Sequence, residues 1–341
     1  MRTVGSEYAE LSRLIRSVGL LDRRPVYYRM RIGLCAAALV AGWSAFVLLG
    51  SSWWQLAVAV FLAVVFTQIG FLGHDAGHRQ VYSTRRANDL LGRLCANAAI
   101  GLDYGWWVGK HNRHHAHPNT EDRDPDIGDG AIAFTPAQAR GRRSAAGRWL
   151  ARHQAVLFFP MTLLQGFSLH LDSISSLRAG WRARPVDAVL LAVHVVVYVG
   201  VVALVLPLWQ AVAFVAVHQG LFGVYMACAF APNHKGMPVL AAGERVDFLR
   251  RQVLTSRNVT GGRWIDTALG GLNLQIEHHL FPSMPSPALR AAAPLVREYC
   301  RNRGVEYREA TLVGSYAEVL RHLRETGAEA RAGRPGEPAT G

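Results

Sequence analysis

The sequence predicts an all-α integral membrane protein in which four transmembrane helices, paired as two hairpins, hold a helical cap on the cytoplasmic side. The first observation is that half of the 341 residues are hydrophobic and concentrate in four long runs. The second is that all 37 lysines and arginines lie outside these runs. The third is that histidines gather in three tight clusters beyond the ends of the runs.

Each of the four runs is long enough to cross a bilayer, because a membrane-spanning helix needs about 20 apolar residues. The runs occupy residues 32–50, 53–73, 186–206 and 208–230. Only a short turn separates the members of each pair, so each pair is predicted to form a hairpin. Four buried helices of a soluble bundle are the alternative, but the length of the runs and their lack of charge argue against it.

The distribution of positive charge predicts the orientation. All lysines and arginines fall in residues 1–31, 79–184 and 235–341, and the two hairpin turns carry none. By the positive-inside rule, both termini and the long middle segment are cytoplasmic, and we expect a bacterial cytoplasmic membrane. The net charge of +13 then reflects solvated cytoplasmic faces and attraction to anionic lipid headgroups. No zinc-finger or RNP-type pattern supports nucleic-acid binding.

The apolar runs also divide the chain. Residues 1–31 form a cytoplasmic N-terminal amphipathic segment, for which a helix lying on the membrane and a soluble lead-in are both open. No signal peptide is expected, because the first run is followed by a second span and not by a cleavage site. Residues 32–324 form the membrane domain. Residues 325–341 are predicted to be a disordered tail.

One further segment, residues 155–171, is apolar enough to be a fifth span. If it crossed the membrane, the second and third histidine clusters would face opposite sides. It contains Pro160, Gln165 and His170, and basic residues stand on both sides of it. We therefore predict an interfacial or re-entrant helix.

Seven of the 14 histidines form three clusters with helical spacing. Residues at i, i+3 and i+4 share one face of a helix, so each cluster presents its side chains together. The clusters are HDAGH with His74 and His78, HNRHH with His111, His114 and His115, and QIEHH with Gln275, His278 and His279. The first two follow the second span and the third follows the fourth, so an even number of crossings separates them. All three can therefore meet on one side of the membrane.

Seven converging imidazoles are too many for one zinc ion, which takes four ligands in a structural site and three plus water in a catalytic site. They suit two metal ions. Imidazole binds iron, zinc, copper and nickel alike, so ligand type leaves the metal open. The position beside a bilayer favours iron, because a redox metal there can attack unactivated C–H bonds of acyl chains.

The quoted motifs resemble a known family. HDAGH, HNRHHAHPNTEDRDPDI and GGLNLQIEHHLFPSMP are similar to the three histidine boxes of the membrane-bound fatty acid desaturases, and glutamine in the third box resembles the front-end and linoleoyl-CoA desaturase branch. The resemblance covers roughly residues 55–305. It implies a centre of two non-haem iron ions that uses O2 and two electrons to insert a double bond into a long-chain acyl group. The implied ligands are His74, His78, His111, His114, His115, His278, His279 and, just beyond the last span, His234 with Asn233 as a water-mediated neighbour.

Other polar residues of the boxes have predicted supporting roles. Four carboxylates are candidate acceptors for imidazole N–H groups, which would fix the ring orientation, although each is equally well explained as a helix cap or a turn acid. They are Asp75, Asp124, Asp126 and Glu277. Gln275 either ligates through its amide oxygen or hydrogen-bonds to bound oxygen. We predict no catalytic residue beyond the metal centre and this possible role of Gln275.

The resemblance also implies partners. The sequence has no HPGG motif of a fused cytochrome b5 domain. We therefore expect electrons from an external NAD(P)H-dependent chain, delivered by a ferredoxin or flavin oxidoreductase that docks on the basic face. The substrate is a long-chain acyl-CoA or acyl-lipid held among membrane lipids. Its length, carrier and double-bond position stay open.

Two other functions compete with desaturation. A related membrane di-iron hydroxylase of fatty acyl groups or lipids shares the centre and differs in returning oxygen to the substrate carbon. A non-catalytic membrane protein that binds or transports metal is the alternative from another class. It requires a polar path through spans that are almost wholly apolar.

Overall fold

The computed structural model describes residues 6–330 of the chain. These residues form fifteen α-helices, a π-helical segment, a 3-10 turn and two short strands. In chain order they are α1 (Ser6–Ser17), α2 (Pro25–Leu49), α3 (Gln55–Gly77), α4 (Arg85–Arg93), the π-helical segment (Leu94–Ala99), α5 (Tyr104–Ala116), α6 (Pro136–Arg140), α7 (Ala145–Thr162), α8 (Gln165–Gly180), the 3-10 turn (Trp181–Ala183), α9 (Pro185–Val205), α10 (Leu208–His234), α11 (Phe248–Leu254), β1 (Asn258–Thr260), α12 (Arg263–Ala268), α13 (Gln275–Leu280), α14 (Ser286–Arg301), β2 (Glu309–Thr311) and α15 (Leu312–Ala328). The strands pair in parallel, with Val259 opposite Ala310.

The predicted all-α class with four candidate membrane helices is confirmed. The helices α2, α3, α9 and α10 are each long and apolar enough to cross a bilayer. Helix α3 is central, because 61% of its apolar window is buried against 11% for α2 and for α9. Its Phe66 packs edge-on against Phe222 of α10. Helices α2 and α9 therefore face outward.

Two predicted boundaries are wrong. Helix α2 begins at Pro25, so the predicted division between residues 31 and 32 falls inside a continuous helix. Proline at the first helical position has the fixed φ that a helix needs. Its lack of an N–H costs nothing there, because the first N–H groups of a helix have no partner within the helix. Helix α10 runs to His234, past the predicted end at residue 230, so this histidine lies on the helix and not beyond it.

The N-terminal helix α1 packs on the cap. We use this name for the elements outside the four spans, apart from α1 itself and from α7 and α8. Its Leu11 and Ile15 are fully buried in a cluster with residues of α13 and α14. The Tyr8 hydroxyl donates to the Leu280 carbonyl at 2.9 Å, and its ring stands 4.6 Å from that of Phe248. The apolar face of α1 therefore lies against protein.

The segment predicted as interfacial or re-entrant spans a sharp break. Helices α7 and α8 meet at 80°, close behind Pro160 in the last turn of α7. Proline lacks the N–H that a continuing helix requires. We call this bent pair, from Ala145 to Ala183, the elbow.

The C-terminal helix α15 extends past the predicted start of the tail at residue 325. Thr326 and Gly327 are buried, and a side chain at Gly327 would collide with the Ala151 carbonyl of α7. Close packing on α7 thus keeps the chain helical to Ala328, which corrects the predicted boundary. Residues 331–341, for which a disordered tail is predicted, lie outside the described residues.

Candidate metal centre

The predicted ligands come together from four helices at one end of the spans. His74 lies in the last turn of α3 and His78 caps that helix. Helix α5 carries the second cluster, and the short α13 carries the third. His234 is the last residue of α10. The eight imidazoles form two groups whose ligand atoms lie within 4.8 Å of one another, the first with His74, His78, His111, His115 and His278 and the second with His114, His234 and His279.

In the first group, ring nitrogens face one another at short range. Nε2 of His111 lies 3.2 Å from Nε2 of His74 and 2.9 Å from Nε2 of His78. Nε2 of His115 lies 3.0 Å from that of His111 and 3.1 Å from that of His278. Nitrogens bound to one metal ion at about 2.1 Å, with about 90° between them, lie about 3.0 Å apart. One neutral Nε2 cannot donate to three neighbours, so the arrangement fits ligands around an ion.

The second group combines imidazoles with an amide. Nε2 of His114 and His234 are 3.3 Å apart. The side-chain amide of Gln275 stands 2.9 Å from Nε2 of His234. Nε2 of His279 is buried and has no hydrogen-bond partner among the described residues. A buried polar atom normally has a partner, so this nitrogen fits a metal ligand.

Acceptors at Nδ1 fix the tautomer of four rings. When Nδ1–H donates, the lone pair remains on Nε2, where a metal can bind it. The four pairs are His74 with Oδ1 of Asp75 at 3.3 Å, His114 with Asp124 at 3.0 Å, His234 with the Thr255 carbonyl at 3.0 Å and His279 with Oε1 of Gln252 at 2.9 Å. Both groups thus direct unprotonated nitrogens inward.

Burial lowers the pKa of five of the imidazoles well below the usual range, namely His78, His111, His115, His278 and His279. His114 differs, because the charges of Asp126 and Asp124 outweigh the effect of burial and raise its pKa. Neutral imidazole is the form that binds metal.

Three of the four predicted carboxylates lie beside a histidine that is a predicted ligand. Asp124 accepts from His114 and also from the backbone N–H of Asn119 at 2.7 Å. Asp126 stands 3.5 Å from His114 and pairs with Lys110 at 2.8 Å. Asp75 accepts from the hydroxyl groups of Tyr28 at 3.2 Å and Ser286 at 2.7 Å.

The prediction for Glu277 is wrong. Its carboxylate accepts from the Tyr307 hydroxyl at 2.7 Å and from the Asn258 amide at 2.8 Å. No imidazole is among its hydrogen-bond partners in the described chain. Burial raises the pKa of Glu277 to about 7. Adjacent positions on α13 point away from each other, which explains why Glu277 and His278 face different surroundings.

Asn233 lies within the centre without a defined contact to a ligand imidazole. Its amide donates to the Ala229 carbonyl at 2.9 Å, one turn earlier on α10. Its Oδ1 is buried and has no partner among the described residues, so it can accept from a water molecule. A water-mediated role for Asn233 stays a prediction.

Sequence reasoning missed Gln252 and Thr255 of the segment around α11. Gln252 is fully buried, accepts from His279 and donates to the His115 carbonyl at 3.0 Å. It therefore connects the second cluster with the third. The sequence around it, FLRRQVLTS, carries no motif, because the role depends only on how α11 packs against α5 and α13.

The donor set fits the metal ions that the sequence implies. Eight imidazoles and one amide face inward, while carboxylates hold rings from behind. This composition suits iron and other metals that bind imidazole, and it provides for two ions.

Comparison with known proteins decides the family. The family model described as Fatty acid desaturase matches residues 51–311. The chain belongs to the fatty acid desaturase family. The resemblance of the histidine boxes is thus confirmed.

The similar proteins include front-end types. The chain is 33% identical over 287 residues to the acyl-lipid (9-3)-desaturase of Physcomitrium patens, covering 81% of this chain and 54% of that protein. It is 27% identical over 346 residues to the Delta(8)-fatty-acid desaturase of Helianthus annuus, covering 96% and 74%. It is 30% identical over 285 residues to the Delta(6)-fatty-acid desaturase fat-3 of Caenorhabditis elegans, covering 80% and 64%. The chain thus spans about half the length of the first relative. These relatives are eukaryotic and give no support to a bacterial origin.

Proposed function

We propose that this desaturase inserts a double bond into a long-chain acyl group, using O2 and two electrons at a centre of two non-haem iron ions. The observation that carries the proposal is the pair of imidazole groups at one end of four apolar helices, with nitrogens about 3 Å apart. The five histidines of the first group would hold one ion. The three of the second group, with Gln275, would hold the other.

The iron pair, when bound, supplies activation of O2 for removal of two hydrogen atoms from adjacent carbons. The protein orients the ligands through the Nδ1 acceptors Asp75, Asp124, Gln252 and the Thr255 carbonyl. It also lines the centre with an aromatic ring. The Trp107 ring stacks on His111 with centroids 4.6 Å apart and an interplanar angle of 19°, and it lies 5.5 Å from His74. An apolar acyl chain can approach along such a wall.

We infer the substrate form from the relatives. The Physcomitrium patens protein is named an acyl-lipid desaturase, which favours a lipid-bound acyl chain over acyl-CoA. Front-end names among the relatives favour insertion between an existing double bond and the carboxyl end. We also infer a cytoplasmic centre and an external NAD(P)H-dependent electron chain that ends in a ferredoxin or flavin oxidoreductase.

The test is a fatty acid profile with located double bonds, measured by gas chromatography and mass spectrometry. Host cells supplied with ferredoxin and its reductase express the wild type, His279→Ala or the control His153→Ala. His153 is an exposed histidine of α7. We expect a new unsaturated acid with the wild type and the control and none with His279→Ala.

Metal analysis of the purified proteins accompanies the profile. We expect two iron ions in the wild type and in His153→Ala. Hydroxy acids in place of unsaturated acids would make the protein a hydroxylase. Wild-type protein that is inserted in membranes but binds no iron would contradict the di-iron centre.

A further inference from the structure

The elbow presents an apolar surface that nothing in the described chain covers. Near the bend, Val156 is 78% exposed, Leu164 64% and Leu171 64%. Contiguous exposed apolar surface of this kind marks contact with a membrane or another protein. The opposite side of the elbow is fixed, because a side chain at Gly166 of α8 would collide with the Gln219 carbonyl of α10.

The histidine geometry excludes a crossing by the elbow. Nε2 of His115 and His278 are 3.1 Å apart, so the chain before the elbow and the chain after α10 lie on the same side of the membrane. Between them stand the elbow and the two spans α9 and α10. Two crossings return the chain to the side from which it started, and a third would not. The elbow therefore enters and leaves on one side.

The length of the arms agrees with this path. At about 1.5 Å per residue, the stretch of α7 from Arg152 to Thr162 extends about 15 Å. This is roughly half of a hydrocarbon core about 30 Å thick. The bend can reach the middle of the bilayer and cannot pass through it.

Both ends of the elbow combine arginine with tryptophan. Arg148 and Arg152 flank Trp149, which is 55% exposed, at the start of α7. Arg178 and Arg182 stand near Trp181, which is 52% exposed, at the other end. Tryptophan favours the headgroup level, and arginine reaches from there to the phosphates.

These four arginines have no acidic partner among the residues that the structure describes. Within residues 6–330, none of them makes an ion pair; Arg148 and Arg152 donate to backbone carbonyl groups, and Arg182 lies over the Trp181 ring. Asp172 is the single acidic residue in the sequence of the elbow. Unpaired cations on both sides of an apolar tip are complementary to anionic headgroups above hydrocarbon.

We propose that the elbow is a re-entrant element whose four arginines bind anionic phospholipid in the leaflet next to the cap. The apolar tip enters the acyl region of that leaflet. Each arginine contributes about a fivefold gain in affinity for anionic lipid, from about 1 kcal/mol per cation near a charged surface.

The lipid test uses full-length protein in phosphatidylcholine nanodiscs with and without phosphatidylglycerol. Native mass spectrometry then counts the phospholipids that each protein retains. The test variant changes Arg148, Arg152, Arg178 and Arg182 to glutamine. The matched control removes four exposed arginines of the cap that make no ion pair within residues 6–330, namely Arg123, Arg245, Arg321 and Arg324.

We expect the wild type and the control to retain phosphatidylglycerol in preference to phosphatidylcholine. If the four contributions add, the test variant should lose that preference by roughly 600-fold. Two double variants, each with the arginines of one arm, should show intermediate losses. Equal preference in test variant and control would overturn the proposal, and so would a loss confined to one arm.

The path of the elbow is tested with a membrane-impermeant maleimide on oriented vesicles. Arg143→Cys and Arg182→Cys mark its two ends, and the wild type gives the background from its four native cysteines. Both marks should react from the same side. Reaction from opposite sides would establish a fifth span and refute re-entry.

Discussion

Gln252 shows how a single neutral side chain supports the centre. Its amide oxygen accepts from Nδ1–H of His279, and its amide nitrogen donates to the His115 carbonyl. We predict that Gln252→Leu lowers metal affinity or activity by about 10–100-fold, because loss of a ligand's outer partner has effects of that size. Gln252→Glu should retain more metal than Gln252→Leu, since a carboxylate still accepts the imidazole N–H. The iron content of each variant after dialysis against a chelator measures how much metal it retains. Equal iron losses in the two variants would show that the hydrogen bond accepted from His279 does not determine metal affinity.

Asp124 and Asp126 both approach His114 but are not equivalent. Asp124 is buried and accepts at 3.0 Å, whereas the Asp126 side chain is 36% exposed and stands 3.5 Å away. We predict that Asp124→Asn reduces metal affinity by about 10–100-fold and that Asp126→Asn has a clearly smaller effect. Chelator competition with the purified proteins gives the two affinities. A larger loss of affinity in Asp126→Asn than in Asp124→Asn would mean that the charge of Asp126, and not the hydrogen bond of Asp124, determines how well His114 binds metal.

At this scale the sequence identifies a residue only when the signal is local. The spacings of i+3 and i+4 predict all seven box histidines, because one helical turn determines their common direction. Glu277 lies in the third box, yet its partners Asn258 and Tyr307 come from distant segments, so its prediction was wrong. Gln252 and Thr255 have no local signal, because their contacts exist only after α11 has packed.

Hydrophobic patterns predict which segments form helices better than they predict what those helices pack against. The four spans are predicted because water and lipid separate apolar from charged residues over about 20 positions. An amphipathic pattern such as that of α1 indicates only that one face is buried. It does not show what covers that face, which is why a helix on the membrane and a soluble lead-in both stayed open for residues 1–31.

Helix α1 offers a comparison within one element. Leu11 is fully buried in the cap, and Leu14 is 39% exposed on the same helix. We predict that Leu11→Ala destabilises the protein by about 2–5 kcal/mol, as loss of a buried leucine usually does. Leu14→Ala should have little effect. Thermal unfolding in detergent measures both, and equal destabilisation by the two variants would mean that α1 does not pack as described.

The meeting of the histidine clusters is a property of the whole molecule. An even number of crossings allows the clusters to share one side, and the structure brings them to ring-nitrogen distances near 3 Å. Which side of the membrane this is remains a prediction from the distribution of charge. The residues that join the cap to the spans could not be predicted, because their partners are far apart in sequence.

Arg257 is one such residue, and it joins the last span to the C-terminal helix. It is fully buried. Its guanidinium donates to the Pro232 carbonyl at 2.9 and 2.6 Å and to the Lys235 carbonyl at 3.0 Å, and it pairs with Glu318 of α15. These carbonyl groups surround the end of α10, where His234 points into the second imidazole group. Arg257 therefore holds the end of the helix that carries this predicted ligand.

We predict that Arg257→Ala destabilises the protein by about 3–5 kcal/mol, because Glu318 and the carbonyl groups lose their buried partner. Arg257→Lys keeps the charge but lacks the fork of donors, so it should fold and yet bind less metal at the second imidazole group. The control is Arg290→Lys, because Arg290 is an exposed arginine that pairs with Asp266, and such pairs contribute little. Iron stoichiometry and the Mössbauer signature of the reconstituted proteins test the prediction. Two iron ions in unaltered environments in Arg257→Lys would show that Arg257 stabilises the fold without positioning His234.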